Sequence, residues 1–241
     1  MYNILVCDDD KEIVKAIEIY LNKEGYNVFK SYNGEQALEV LRKNTIHLVI
    51  LDVMMPQKDG IETLYEIRKF NSIPVIMLSA KSEDEDKIKG LDFGADDYVT
   101  KPFNPLELIA RVNSGIRRYT KLGTIEDTEN KKIFKTGDLI IDDNLKKVVV
   151  DGNEVKLTPT EYNILKFLTK NKGIVYSIEQ IYQNVWEDEA YAAENIIAVH
   201  IRHIREKIEI NPKEPKYLKV IWGIGYKIEK INWKECKNER K

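Results

Sequence analysis

Five polar side chains stand where four apolar runs of the chain end. Asp8 and Asp9 follow "ILVC", Asp52 follows "LVIL", Ser79 follows "PVIML" and Lys101 follows "DYVT". Carboxylates gathered at the ends of buried segments repel one another unless a cation offsets their charge. Three of them favour a hard divalent ion, most simply Mg2+, which takes a few oxygen ligands and keeps waters. A lysine beside them adds a point charge suited to phosphate oxygens. One Asp after a strand is usually a turn residue or a helix cap; the recurrence at successive run ends is what points to chemistry.

Such residues converge only if the runs are neighbouring strands of one sheet. Residues 1–118 alternate strand-length apolar runs ("ILVC", "YNVFKS", "LVIL", "PVIML", "DYVT") with stretches of helical period, such as Ile13, Ile17, Tyr20 and Leu21, or Leu108, Ile109 and Val112. Near-continuous apolar strands alternating with amphipathic helices predict a parallel sheet covered on both faces. Five strands suit the flavodoxin-like α/β order 2-1-3-4-5, with ligands at the carboxyl ends of the strands. Asp10 stands just ahead of the periodic run from Ile13, where a carboxylate caps the first helix.

The chain has 241 residues, enough for two domains, with 43% hydrophobic and 32% charged residues. Runs such as "HLVILDVMM" are too short to span a bilayer, and no charged-then-apolar leader precedes them. Cys7 and Cys236 form neither a disulfide framework nor a zinc site, so a reducing cytoplasm is expected. Residues 1–120 hold 16 basic and 20 acidic side chains, a net of −4, and residues 121–241 hold 22 and 20, a net of +2. The second half is thus the half open to an anionic partner.

From 119 to 132 the sequence is polar and without clear period, as a linker would be. Residues 133–230 then change texture. Short β-prone runs separated by Asp-Asp-Asn and Asp-Gly predict a small antiparallel sheet. "TPTEYNILKFLTKNKG" opens with a Thr cap, Pro in the first turn and Glu three residues after Thr158. "SIEQIYQNVW" and "AAENIIAVHIRHIREKIEI" predict two further helices, and "YLKVIWGIGYKIEK" a hairpin turning at Gly223 to Gly225. His200, Arg202, His203, Arg205 and Lys207 cluster on the last helix beside the core stripe Ile197, Ile201, Ile204 and Ile208. One buried and one basic face is what a helix entering the major groove needs. This α+β pattern is a winged helix-turn-helix, and residues 231–241 are a charged tail.

"VCDDD", "LVILDVMMPQKDG", "VIMLSA" and "YVTKPF" resemble the receiver domain of two-component response regulators over residues 1–118. The resemblance implies that Asp52 takes a phosphoryl group from a membrane sensor histidine kinase. It makes Asp8, Asp9, Asp52 and the backbone carbonyl of Met54 the Mg2+ ligands, and Lys101 the partner of the phosphoryl oxygen. Ser79 is then the hydroxyl that swings toward the phosphoryl group, Tyr98 the aromatic whose rotamer follows it inward, and Pro102 the proline after a cis bond. "DKIKGLDFGADDYVTKPFNPLELIARV" is similar to the OmpR/PhoB subfamily. There Lys87, Ile88, Leu91, Asp96, Asp97, Glu107, Ile109, Arg111 and Arg118 would form a two-fold dimer face, pairing Lys87 with Glu107, Asp97 with Arg111 and Asp96 with Arg118. On composition alone the same residues make a solvated face.

Residues 133–230 resemble the effector domain of that subfamily, with strings closest to regulators of vancomycin resistance of the VanR type. By that match Arg202 and Arg205 hold phosphates, and His203 stands where relatives often have a base-reading arginine, whose bidentate contact a histidine cannot make. Trp222 stands where many put a minor-groove arginine, leaving Lys219 or Lys227 to supply the charge. Promoter DNA carrying direct repeats, RNA polymerase and a second copy of the chain are the implied partners. Two other readings compete. A haloacid-dehalogenase-like phosphatase would need a DxD motif, which "DVMMP" lacks. A binding module that no longer takes phosphate would not need the intact set Asp8, Asp9, Asp52, Ser79 and Lys101.

Overall fold

The computed structural model describes residues 1–80, 94–123, 133–186 and 193–231. The chain divides into two compact units, Met1–Thr120 and Lys121–Lys241. Lys87, Ile88 and Leu91, and the residues of the tail from 232 onward, lie outside the described residues.

In the first unit β1 (Asn3–Cys7), β2 (Asn27–Ser31), β3 (Leu48–Asp52), β4 (Val75–Ala80) and β5 (Asp97–Lys101) form one parallel sheet in the order β2-β1-β3-β4-β5. The five-stranded order expected from the apolar runs is the one observed. Ile4, Leu5, Val6 and Leu48 to Leu51 have no exposed surface, because helices cover both faces and neither side of the strand can be polar. Among the described residues the helices are α1 (Lys11–Lys23), α2 (Gly34–Lys43), α3 (Gly60–Phe70) and α4 (Pro105–Gly123). Asp10, Asn33 and Asp59 cap the first three with side-chain oxygens. Helix α4 runs on to Gly123, into the stretch that composition marks as linker. Its last turns have support from outside and within: the Tyr119 ring meets His47 edge-on at 6.4 Å, and Thr120 Oγ1 bonds Ile116 O one turn back in the same helix at 2.9 Å.

Register fixes the functional rim. Cys7 pairs with Leu51, Asp52 with Leu78, and Ala80 with Lys101. The residue after Cys7 therefore lies beside the residue after Leu51, which brings Asp8 next to Asp52. The chain then folds back so tightly that a Cβ on Gly60 would stand 2.0 Å from the Asp52 carbonyl oxygen. Only glycine fits there.

In the second unit β6 (Ile133–Thr136), β7 (Leu139–Asp142), β8 (Lys147–Val150) and β9 (Asn153–Val155) form an antiparallel meander. Three helices follow: α5 (Pro159–Lys170), α6 (Ile178–Trp186) and α7 (Ala193–Ile208). The hairpin of β10 (Leu218–Ile221) and β11 (Gly225–Ile228) completes the winged helix. Thr158 and Glu161 form the expected capping box of α5. Tyr176 exchanges both backbone bonds with Tyr226, at 2.9 and 3.0 Å, which docks the hairpin onto the turn before α6. Among the described residues no helix is long and apolar enough to cross a membrane.

Candidate phosphoacceptor site and nucleic-acid interface

At the carboxyl rim of the first sheet, oxygens of Asp8, Asp9 and Asp52 lie within 4.8 Å of one another. Asp8 has no exposed surface and Asp52 is 3% exposed, while Asp9 is open to solvent. Lys101 Nζ reaches both buried acids, at 2.6 Å from Asp8 Oδ2 and 2.7 Å from Asp52 Oδ1. One ammonium balances two buried carboxylates, so the cluster keeps surplus negative charge. This donor set fits Mg2+: hard oxygens, a buried pair and an open side for waters.

Burial, more than that surplus, sets the electrostatics. Burial pushes the Asp52 carboxyl up to about 6; the Lys101 hydrogen bond opposes this and the Asp8 charge adds to it. Burial works against the Lys101 ammonium, yet its bonds to Asp52 and Asp8 leave its pKa raised. Cys7, one residue before the cluster, is pushed up to about 12 chiefly by burial, which makes it a thiol and not a competing nucleophile.

Ser79 is 2% exposed, and its Oγ is buried with no hydrogen-bond partner among the described residues. A hydroxyl so placed is a donor awaiting an acceptor. Tyr98 is 7% exposed with its ring inside, and the Lys101–Pro102 bond is cis. Met54 turns its side chain outward at 60% exposure. Asp10 faces away from the cluster in function: its Oδ1 accepts Glu12 N at 2.8 Å, as a cap does.

The described charged residues of the expected dimer face are engaged within the chain. Arg111 Nη1 meets Asp97 Oδ1 at 2.7 Å and its Nη2 meets Glu107 Oε1 at 3.0 Å. Asp96 accepts from Arg68 Nη2 at 2.8 Å and from Val75 N at 2.9 Å. Arg118 Nη1 bonds Ser114 Oγ at 2.7 Å. Ile109 is half-buried. Arg68, which also donates to Gly94 O and Ile73 O, was not legible as a strand-end clamp because its partners lie 26 and 5 residues away.

On α7 the basic cluster separates into two faces. His200 is 1% exposed against Trp186, and His203 is 7% exposed with Nδ1 3.9 Å from Glu161 Oε1. Neither stands on the outer basic face the sequence suggests. Burial lowers the His203 pKa, which the Glu161 charge only partly opposes, so its ring is held neutral. Lys207 Nζ is held by Glu161 at 2.8 and 2.6 Å, and Arg205 Nε bonds Leu218 O at 2.9 Å. Arg202 is exposed on the outer face beside Glu206. At the hairpin tip Trp222 is 89% exposed, with Lys219 on β10 and Lys227, paired to Glu229, on β11. Glu161, expected only as a helix cap, also anchors Lys207, and Glu209 is an anchor the sequence did not single out.

Residues 4–113 match the family described as response regulator receiver domain, and residues 152–228 the family described as transcriptional regulatory protein, C terminal. The chain is 46% identical over 228 residues to the regulatory protein VanR of Enterococcus faecium, covering 94% of this chain and 98% of that one. It is 43% identical to VanRc of Enterococcus gallinarum, over 94% and 98% of the two chains. Among solved structures it is similar to DrrB, an OmpR/PhoB homolog from Thermotoga maritima, with 38% identity, a TM-score of 0.50, and coverage of 95% of this chain and 99% of that one.

Proposed function

The chain belongs to the two-component response regulators that join a receiver domain to an OmpR/PhoB-type DNA-binding domain, and from that membership we propose that Asp52 accepts a phosphoryl group from a membrane sensor histidine kinase. The observation that supports this most is the Asp8–Lys101–Asp52 arrangement with a Ser79 hydroxyl on the same rim that has no partner among the described residues. An Asp52 oxygen attacks phosphorus, the bond to the kinase histidine breaks, and an acyl phosphate remains. Lys101 offsets charge on the phosphoryl oxygens and Ser79 Oγ donates to one of them. Mg2+ on Asp8, Asp9, Asp52 and the Met54 carbonyl would add neutralising charge when bound. The Tyr98 ring, already inside, would be held there once Ser79 engages the phosphoryl group.

The phosphorylated chain then pairs with a second copy through the face of Asp96, Asp97, Glu107, Ile109, Arg111 and Arg118, by a shift in populations. Working in the cytoplasm, the dimer binds promoter DNA at direct repeats and meets RNA polymerase there. Arg202, Lys219, Trp222 and Lys227 are the side chains this reading places toward DNA. The kinship with VanR supports glycopeptide-resistance or cell-envelope genes as targets, which a genome-wide binding map would test. The phosphoacceptor is tested by treating the full chain with acetyl phosphate and Mg2+ and weighing it. Wild type should gain one phosphoryl mass and Asp52→Ala none; a gain by the variant would remove Asp52 from the role.

A further inference from the structure

Two side chains four residues apart, Arg205 in the last turn of α7 and Glu209 just past its end, reach to the first strand of the hairpin. Arg205 Nε donates to Leu218 O at 2.9 Å, and its Nη2 is buried without a partner among the described residues. Glu209, 9% exposed, accepts Lys216 N at 2.7 Å on one oxygen and Tyr217 N and Leu218 N at 2.9 and 2.8 Å on the other. A carboxylate receiving three backbone N–H groups is a strong, directional clamp. The guanidinium and the carboxylate grip the same short segment, 216–218, from which β10 leads to the exposed Trp222.

We propose that Arg205 and Glu209 are positioning residues that lock the hairpin to the recognition helix, so that Arg202 and Trp222 meet a DNA duplex as one surface. The proposal rests on the DNA-binding reading above, and it takes Arg205 out of the set of phosphate contacts. With Nε spent on Leu218 O and Nη2 buried, only Nη1 of the guanidinium is left toward solvent, and the clamp reading assigns it no phosphate and no counterion release.

The two charges are opposite, and this gives a test. If they acted on DNA directly, losing Arg205 would weaken binding and losing Glu209 would strengthen it. As a clamp, both losses weaken it. The full chain, treated with beryllofluoride, is titrated against a labelled duplex selected by the wild-type protein from a random pool, at several salt concentrations. Arg205→Ala and Glu209→Gln should each raise Kd about tenfold and leave the slope of log K against log salt unchanged, with Arg205→Lys recovering part of the loss. A slope lowered by about one for Arg205→Ala, or tighter binding by Glu209→Gln, would overturn the proposal. Amide exchange supplies an arm that needs no DNA. In Glu209→Gln, Lys216, Tyr217 and Leu218 should exchange faster while the α5 amides stay protected; unchanged protection at 216–218 would also overturn it. A wild-type chain that selects no duplex would sink the DNA-binding reading, while the exchange arm would still decide the clamp.

Discussion

Arg111 Nη1 donates to Asp97 Oδ1 at 2.7 Å within one chain, where Arg111 is 7% exposed and Asp97 has no exposed surface. Asp97 begins β5 and Arg111 lies on α4, so the pair ties the edge strand to the helix that covers it. Pairing across a dimer axis, as proposed above, therefore requires an exchange of partners and not the capture of a free arginine. Removing one member of a buried pair leaves the other charged and unsolvated, at a cost of about 3–5 kcal/mol. Arg111→Ala should lower receiver stability in urea by that order and, with beryllofluoride present, lower the dimer fraction in sedimentation. A variant that is fully stable yet monomeric would place Arg111 in the interface alone.

The Asp52 carboxyl, raised to about 6 by burial, makes the site a source of instability at neutral pH. The folded chain holds this proton at a pH where the unfolded chain, with an ordinary value near 3.9, has released it. The site's contribution is thus most favourable below pH ~4 and is lost as pH rises through 6. Asp52→Asn removes the ionisation, and in metal-free buffer it should stabilise the receiver by about 2 kcal/mol at pH 7.5. The gain should shrink toward pH 5. Equal unfolding midpoints for the two proteins at pH 7.5 would count against the burial argument.

The phosphoacceptor rim was legible because parallel strands with continuous apolar runs leave their carboxyl ends on one side, and register alone then sets Asp8 beside Asp52. The face of α7 was harder, since the residue types mislead where the period does not. His200 lies three residues after Ile197 and so falls on the apolar stripe itself, but histidine reads as a basic surface residue until Trp186 is seen against it. Arg205 and Glu209 have their partners in a segment that helical period says nothing about. Side-chain bonds to a distant backbone leave no spacing signature.

Three successive aspartates divide their work. Asp10 accepts Glu12 N at 2.8 Å and Ile13 N at 3.4 Å, while Asp9 belongs to the carboxylate cluster. Asp10→Ala should cost about 1 kcal/mol of receiver stability and leave Mg2+ affinity in place. Asp9→Ala should weaken Mg2+ binding, read by calorimetry, with little change in the unfolding midpoint. The same loss of Mg2+ affinity in both variants would mean that the cap and the metal site are not separable.

Asp143 reports on the second unit by the opposite sign. Its Oδ1 accepts from Tyr162 OH and Lys146 Nζ, each at 2.8 Å, and its Oδ2 from Lys166 Nζ at 2.8 Å. Burial works upward on this carboxyl, yet the bonds from Lys146, Lys166 and Tyr162 prevail and hold it down at about 2. The folded state sheds the proton more readily than the unfolded chain, so the stabilisation is complete above pH ~4 and fades as pH falls toward 2. Asp143→Asn should therefore cost about 2 kcal/mol at pH 7, with the gap to wild type narrowing by pH 3. All three tryptophans, Trp186, Trp222 and Trp233, lie in this half of the chain, so indole fluorescence in urea follows its unfolding apart from the receiver. Wild-type and variant curves that ran parallel from pH 7 to pH 3 would show that Asp143 contributes by packing and not by charge.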